Sequence, residues 1–501
     1  MTWPRLATIS LLCLALIVGC APAASQPDPS SATRRPVAAV AASTAAVPTP
    51  APVFASGTTV AGVTVAGLTF AQAEQRLRAA LTAPEDIELR VGSIRQALSA
   101  ERIGLTVPVD QLLARAAPAL AASTPVTVSV AFDYDQAALR GEIATLAAAV
   151  AVPPAIQVIT ATDTLSRSFA FTPGRILDVD AAAARIGKGL ASGDVGPFTL
   201  TLREETTPPR VPLARLREEV EAMAAEWPGV IGFQVIDLET GASAGFHEHT
   251  VFAGASTIKT AIMLNAYVNL DTFDEREQDL LAKMIGESDN LAANDLLAAA
   301  AGGQGTEYAF AGADAMSAML QEELGLEHTY LYIPFEATDY IRLYKPKFRC
   351  GPQGPVGAQP YTEHGNCLRA EPASMARLYH LIDRCAAHKG LLLERFERLT
   401  PARCQEMLDY LAANDDRTRL VAGVPPGVRV EHKSGWIEDM QADAGIVRSP
   451  NGAYAIAIYV YRPLPAGRYF WPDELMAPVV AAFSRLAYTA YNPVRLEDPG
   501  T

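Results

Sequence analysis

Hydrophobic and polar positions divide the chain into stretches of different period. Leu6 to Val18 form one predominantly apolar run behind the single early charge of Arg5. That run is too short to span a membrane and predicts the core of a secretion signal over residues 1–20. Residues 21–56 show no period and are rich in Ala, Pro, Ser and Thr, including Pro48-Thr49-Pro50-Ala51-Pro52. A stretch of that kind cannot build a core and predicts an extended, semi-stiff tether.

Between residues 57 and 206 helical and strand periods alternate. Helical spacing over Ala71 to Leu81 leads into the strand pattern Ile87 to Val91, and the same succession recurs over Asp178 to Leu190 and Phe198 to Leu202. Helices at 109–122 and 134–151, with strands at 125–132 and 155–161, complete an α+β unit.

A further region covers residues 210–492. Leu213, Leu216, Val220 and Met223 make one apolar helix stripe, and Val230 to Asp237 reads as a strand turning at Glu239-Thr240-Gly241 into a second. A long helical middle runs from Ser256 to about Cys404. Strand patterns return at Val428 to Lys433, Ala442 to Val447 and Tyr454 to Tyr461, before a helix over Asp473 to Tyr488. Strands at both ends with helices between them predict an α+β sandwich whose sheet joins both ends of the region.

Composition narrows the function classes. A chain of 501 residues suggests two or three domains, and a net charge of −14 offers no basic field for nucleic acid. Beyond Cys13 and Cys20 there are four cysteines, Cys350, Cys367, Cys385 and Cys404, which fit an exported protein. Three pairings are open. Neighbour pairing, Cys350–Cys367 and Cys385–Cys404, closes two short loops, the first stapling a Gly/Pro-rich insertion from Lys345 to Gly365. No Cys-x-x-Cys is present, and His247-x-His249 reads as an exposed strand, so no metal and no cofactor is expected.

Candidate chemistry begins at Ser256-Thr257-Ile258-Lys259, at the start of an apolar helix pattern. Serine and lysine three residues apart share one helix face. A serine hydroxyl needs a neighbouring base to become a nucleophile, and a lysine kept neutral by burial or nearby positive charge can be that base. Free N–H groups at a helix start suit a developing oxyanion. Alone, the pattern is weak, since about one match is expected by chance in such a chain. Two later stretches add to it. Ser288-Asp289-Asn290 follows in the helical middle, and Lys433-Ser434-Gly435-Trp436 ends the strand pattern starting at Val428.

Ser-x-x-Lys, Ser-Asp-Asn and Lys-Ser/Thr-Gly in this order resemble the signature of class A β-lactamases and penicillin-binding proteins. The resemblance spans the region 210–492 and implies a β-lactamase-like α/β sandwich, an antiparallel sheet with a helical subdomain. It implies Ser256 as nucleophile, Lys259 as its base, and Ser288 as the proton relay to the departing amine. Asn290 would hold the substrate's side-chain amide. Lys433 would place positive charge near Ser288 and the substrate carboxylate, with the Ser434 hydroxyl binding that carboxylate. Gly435 would let substrate lie along the strand edge, and the N–H groups of Ser256 and Trp436 would form the oxyanion hole. The Trp436 ring could contact substrate or simply cover the strand end, and Asp289 reads as structural.

Three departures from the family pattern stand out. Ser288 follows Ser256 by only 32 residues, Ala444 stands where an arginine often precedes the Gly-Ile step, and no Glu-x-x-Leu-Asn follows Asn290. That missing glutamate positions the deacylating water in class A enzymes. Glu336 lies near the expected place, without the rest of its motif, so acylation is expected to outrun deacylation.

Ile17-Val18-Gly19-Cys20 resembles a bacterial lipoprotein box, which implies lipidation of Cys20 and an anchor on the extracytoplasmic face of a membrane. Gly62 to Thr69 and Phe171 to Arg175 resemble YoaR-like peptidoglycan-binding domains, which implies a wall contact for residues 57–206; with no catalytic cluster there, a rigid spacer domain is the alternative reading. Two function classes follow. One is an anchored serine hydrolase that cleaves β-lactams through a Ser256 acyl-enzyme, or acts as a D,D-peptidase on peptidoglycan stem peptides. The other is a wall-binding lipoprotein with a vestigial catalytic domain.

Overall fold

A five-stranded antiparallel sheet in the order Ser243–Phe246, Val230–Asp237, Gly452–Tyr461, Met440–Ser449, Arg429–Ile437 forms the spine of the C-terminal region. The structure is a computed structural model that describes residues 51–121, 124–161, 165–362, 365–463 and 472–496. The signal, Cys20 and most of the tether lie outside the described residues.

Side chains alternate across a strand, so one strand can serve two cores. Gly452–Tyr461 does so. Ile456, Ile458 and Val460 pack with the helices Leu213–Ala224 and Pro472–Tyr491. Ala455, Ala457 and Tyr459 face the other way, into the helical middle. Small residues on that face, Ala442, Ala444, Ala455 and Ala457, let the helix Pro372–Ala386 approach the sheet closely. At the centre of the second core lies Lys259–Asn269, whose residues from Lys259 to Tyr267 are all buried. The mixed α+β architecture is the one the periodicity predicts.

Several local expectations are corrected. The helix over 109–122 divides into Val109–Ala116 and Pro118–Ala121, because Pro118 has no N–H to continue the ladder. The strand over 125–132 shrinks to Thr127–Val128, since the backbone of Phe132 and Asp133 bonds Leu190 and Thr106 instead. His247 sits in a turn at φ 48°, outside any strand, with Nδ1 at 3.0 Å from the Ile231 carbonyl. Both neighbouring cysteine pairs are bonded, with Cα separations of 4.5 Å for Cys350–Cys367 and 5.8 Å for Cys385–Cys404. The second pair joins the buried faces of Pro372–Ala386 and Pro401–Ala412.

Residues before 206 form two cores of their own, one around Ile87, Ile143 and Ile186, the other around Val60, Leu77 and Leu112. The hairpin Ala155–Thr160/Arg167–Thr172 packs differently. Its Phe169 is fully buried in the core of the C-terminal sheet, and its backbone N–H bonds Thr489 Oγ1 at 3.0 Å. Arg167 bridges Glu219 at 2.8 Å and Glu226 at 2.7 Å, while Val494–Arg495 adds a parallel strand to the hairpin. Packing therefore crosses the expected boundary between 206 and 210. Phe169→Ala should destabilise the C-terminal region by about 3–5 kcal/mol, the usual cost of emptying a buried aromatic site. Denaturant unfolding, with amide exchange followed in Pro472–Tyr491, checks this; unchanged protection of that helix would contradict it.

Candidate active site

Ser256 lies in a short 3₁₀ turn, Ala255–Ile258, that leads into the buried helix Lys259–Asn269. The sequence places the serine at the first turn of one helix; the tighter turn found instead leaves it half-buried. Ala255 carries φ 43°, in the left-handed region that costs a non-glycine residue energy. Hydroxyl contacts hold this turn. Thr257 Oγ1 donates to the Gly254 carbonyl at 2.6 Å and meets Tyr459 Oη at 2.9 Å, and Thr260 Oγ1 meets Tyr379 Oη at 2.9 Å.

Lys259 collects the first two motifs. Its Nζ lies 3.1 Å from Ser256 Oγ, 3.2 Å from Ser288 Oγ, 2.6 Å from the Ser288 carbonyl and 2.7 Å from Asn290 Oδ1. Burial pushes its ammonium down to about 7, and the charge of Lys433 adds to the push against Asp289 and Glu336. Ser288 reaches this point because the π-helical turn Lys283–Glu287 ends with Ser288 at φ 64°. Asp289 then caps the helix Asn290–Ala300, accepting from Ala292 N–H at 2.7 Å, which is a structural role.

Glu336 also belongs to this cluster. Its Oε1 accepts from Asn290 Nδ2 at 2.9 Å, so a chain of contacts runs Glu336–Asn290–Lys259–Ser256. Sequence reasoning missed what holds it there. Asn294 Nδ2 donates to the Phe335 carbonyl at 2.8 Å while its Oδ1 accepts from Phe335 N–H at 2.9 Å, clamping the backbone beside Glu336. The Phe335 ring lies 4.7 Å from Lys259 Nζ and shields the amine from water. The available signal was Asn290-x-x-x-Asn294, two amides on one helix face.

The third motif comes from the sheet edge. Lys433 and Ser434 are buried on Arg429–Ile437, whereas Trp436 is 57% exposed. Burial pushes Lys433 down to about 8, opposed by Asp443 and Asp416 and reinforced by Arg419. Gly435 has a reason beyond the expected one. A Cβ there would stand 2.7 Å from Ser256 N and 2.8 Å from Thr257 N, so its smallness admits the Ser256 turn against the strand.

Residues 215–274 and 276–492, more than half of the chain, match the model of the Beta-lactamase enzyme family. The chain belongs to the β-lactamase enzyme family. Among solved structures, it is similar to PBP-A at 23% identity, covering 57% of this chain and 99% of that one with a TM-score of 0.41. A PBP-A variant described as an acyl-enzyme complex with penicillin G matches at 22% identity over 57% and 99%, with a TM-score of 0.40. The last common ancestor of Gram-negative class A β-lactamases matches at 23% identity over 55% and 99%, with a TM-score of 0.39. No curated protein matches.

Within this β-lactamase-family domain, Arg419 and Asp416 are the other residues that sequence reasoning passed over. Arg419 is buried against Asp416 and Gln441 and bonds Asp473 at 2.7 Å. It brings a guanidinium close to Lys433 from outside the strand position that Ala444 leaves neutral. The close approach at Gly435 yields a test of the site's assembly. Gly435→Ala should keep the fold, as judged by circular dichroism, yet reduce acylation by a fluorescent penicillin at least ~10²-fold, the scale of losing an oxyanion donor. Labelling at the wild-type rate would show that the turn and the strand do not need this contact.

Proposed function

We propose that this protein is a serine hydrolase that opens β-lactams through a Ser256 acyl-enzyme. The reading rests above all on Lys259, a buried amine within 3.1 Å of Ser256 Oγ whose pKa of about 7 leaves a usable neutral fraction. Neutral Lys259 takes the Ser256 proton as Oγ attacks the acyl carbonyl. The N–H groups of Ser256 and Trp436 receive the developing oxyanion, and Ser288 passes a proton to the departing nitrogen. Asn290 orients the acyl side chain. Glu336, tied to Asn290, is the base for the water that frees the enzyme. Stem peptides of peptidoglycan carry the same amide beside a carboxylate, so a D,D-peptidase activity uses the same groups.

Three linked outcomes are expected. Ser256→Ala should abolish labelling by a fluorescent penicillin with the fold intact. Acylation of the wild type should rise with pH through about 7, as Lys259 loses its proton, and fall above about 8, as Lys433 loses its charge. Glu336→Gln should still give a burst near one equivalent with a chromogenic β-lactam, followed by turnover reduced ~10²–10⁴-fold. Unchanged turnover in Glu336→Gln would remove Glu336 from the mechanism, and undiminished labelling of Ser256→Ala would remove the nucleophile.

We also infer an exported, lipid-anchored protein whose residues 57–206 contact peptidoglycan. Support comes from the apolar run with Cys20, the proline-rich tether and the YoaR-like segments. Detergent should release the protein from membranes, and Cys20→Ala should move it to the soluble fraction. A Cys20→Ala protein that sediments with membranes as before would exclude anchoring through this residue.

A further inference from the structure

The place that should receive a substrate carboxylate already contains one. Asp416 lies in the loop after the helix Pro401–Ala412, and its side chain is only 13% exposed. Its carboxylate pairs with Arg419 Nη1 and lies near enough to Ser434, the hydroxyl expected to bind substrate, for that hydroxyl to favour its charged form. Asp416 is also close enough to Lys433 to act on its charge.

Asp416 is held in this position by its own loop. Its Oδ1 accepts from Thr418 N–H at 2.8 Å and from Thr418 Oγ1 at 2.7 Å. Its backbone N–H donates to Asn414 Oδ1 at 2.8 Å, and Asn414 Nδ2 donates to the Ile285 carbonyl at 2.8 Å, in the turn that carries Ser288. The loop and the catalytic turn are thus one hydrogen-bonded unit. The Asp416 carboxyl stays charged: against the burial that would raise its pKa, Arg419, Ser434 and Thr418 hold it well below the usual carboxylate range.

Charge bookkeeping around this point leaves no surplus for an incoming anion. Lys433 and Arg419 supply two positive charges. Asp416 and Asp473 contact Arg419, and Asp443 acts on Lys433 while accepting from His432 Nδ1 at 2.9 Å and from Leu420 N–H at 3.1 Å. Ala444 contributes nothing on the neighbouring strand. A ligand carboxylate would have to displace Asp416 from Ser434 and Arg419 or lie beside it, and like charges side by side cost several kcal/mol.

Building on the acyl-transfer reading above, we propose that Asp416 is a specificity-determining residue whose carboxylate takes the substrate-carboxylate subsite and favours acyl donors that are neutral there. Selectivity of this kind comes from placing a like charge against the unwanted ligand. The natural substrate class is then an amide or ester whose group beside the scissile bond carries no free carboxylate. Carboxylated β-lactams and carboxylate-ended stem peptides remain acyl donors of lower affinity.

Binding of two unreactive probes tests this without any acylation. N-phenylacetylglycine carries the carboxylate, and N-phenylacetylglycinamide replaces it by a neutral amide. Titration calorimetry of the full chain should give the wild type no preference for the acid. Asp416→Asn retains the Oδ1 acceptor for Thr418 and removes the charge; it should bind the acid at least ~10-fold tighter and the amide within about 2-fold of wild type. An unchanged acid-to-amide ratio in Asp416→Asn would overturn the proposal. So would a wild-type protein that binds the acid ~10-fold tighter than the amide, a result that needs no variant to fold. Absence of penicillin labelling would refute the acyl-transfer reading alone, because the probe comparison does not use Ser256.

Discussion

Burial of the Lys259 amine is the constraint on which the rest of the site depends. A charged ammonium is costly to desolvate, so this one loses its proton near neutrality and is surrounded by neutral oxygens. Those oxygens come from three places: Ser256 on the preceding turn, Ser288 at the end of a π-helical turn, and Asn290 on the following helix. The strained φ of Ser288 is the backbone conformation that points both its carbonyl and its hydroxyl at one nitrogen. Helices Lys259–Asn269 and Asn290–Ala300 must pack at a set distance for this to hold, and the apolar core around Ile262, Leu296 and Leu297 sets it.

A second constraint is the approach of the sheet edge to the Ser256 turn. Strand Arg429–Ile437 touches the turn Ala255–Ile258 through Gly435, and Lys433 on the same strand completes the charge environment of Lys259. Two β-strand faces share the work. One, small and alanine-rich, seats the helical middle; the other, made of isoleucine, valine and aromatic residues, is closed by the terminal helix and by Phe169 from the preceding region. The hairpin Ala155–Thr160/Arg167–Thr172 is therefore part of what keeps the five-stranded sheet buried on both sides.

Much of this was legible in the chain. Near-continuous apolar runs over Val230 to Asp237 and Tyr454 to Tyr461 identified strands because a strand buried on both faces demands them, and the terminal helix showed as clearly. The interrupted helix at Pro118 was overlooked because helical spacing of alanine and leucine continues through it, whereas the backbone ladder cannot. The strand expected over 125–132 depended on which backbone partners were within reach, which is a property of the assembled chain.

By itself the sequence determined which residues could do chemistry. Ser256 and Lys259 are three positions apart, and local helical geometry alone puts them side by side. Tertiary structure decided everything that joins distant segments. Glu336, 46 residues from Asn290, became its hydrogen-bond partner only because Asn294 clamps Phe335 onto the helix. Asp416 came near Ser434 only because its loop is tied to the Ser288 turn. Spacing along the chain sets contacts within one or two turns; beyond that, desolvation and hydrogen-bond partners choose which groups meet, and these exist only once the core has closed.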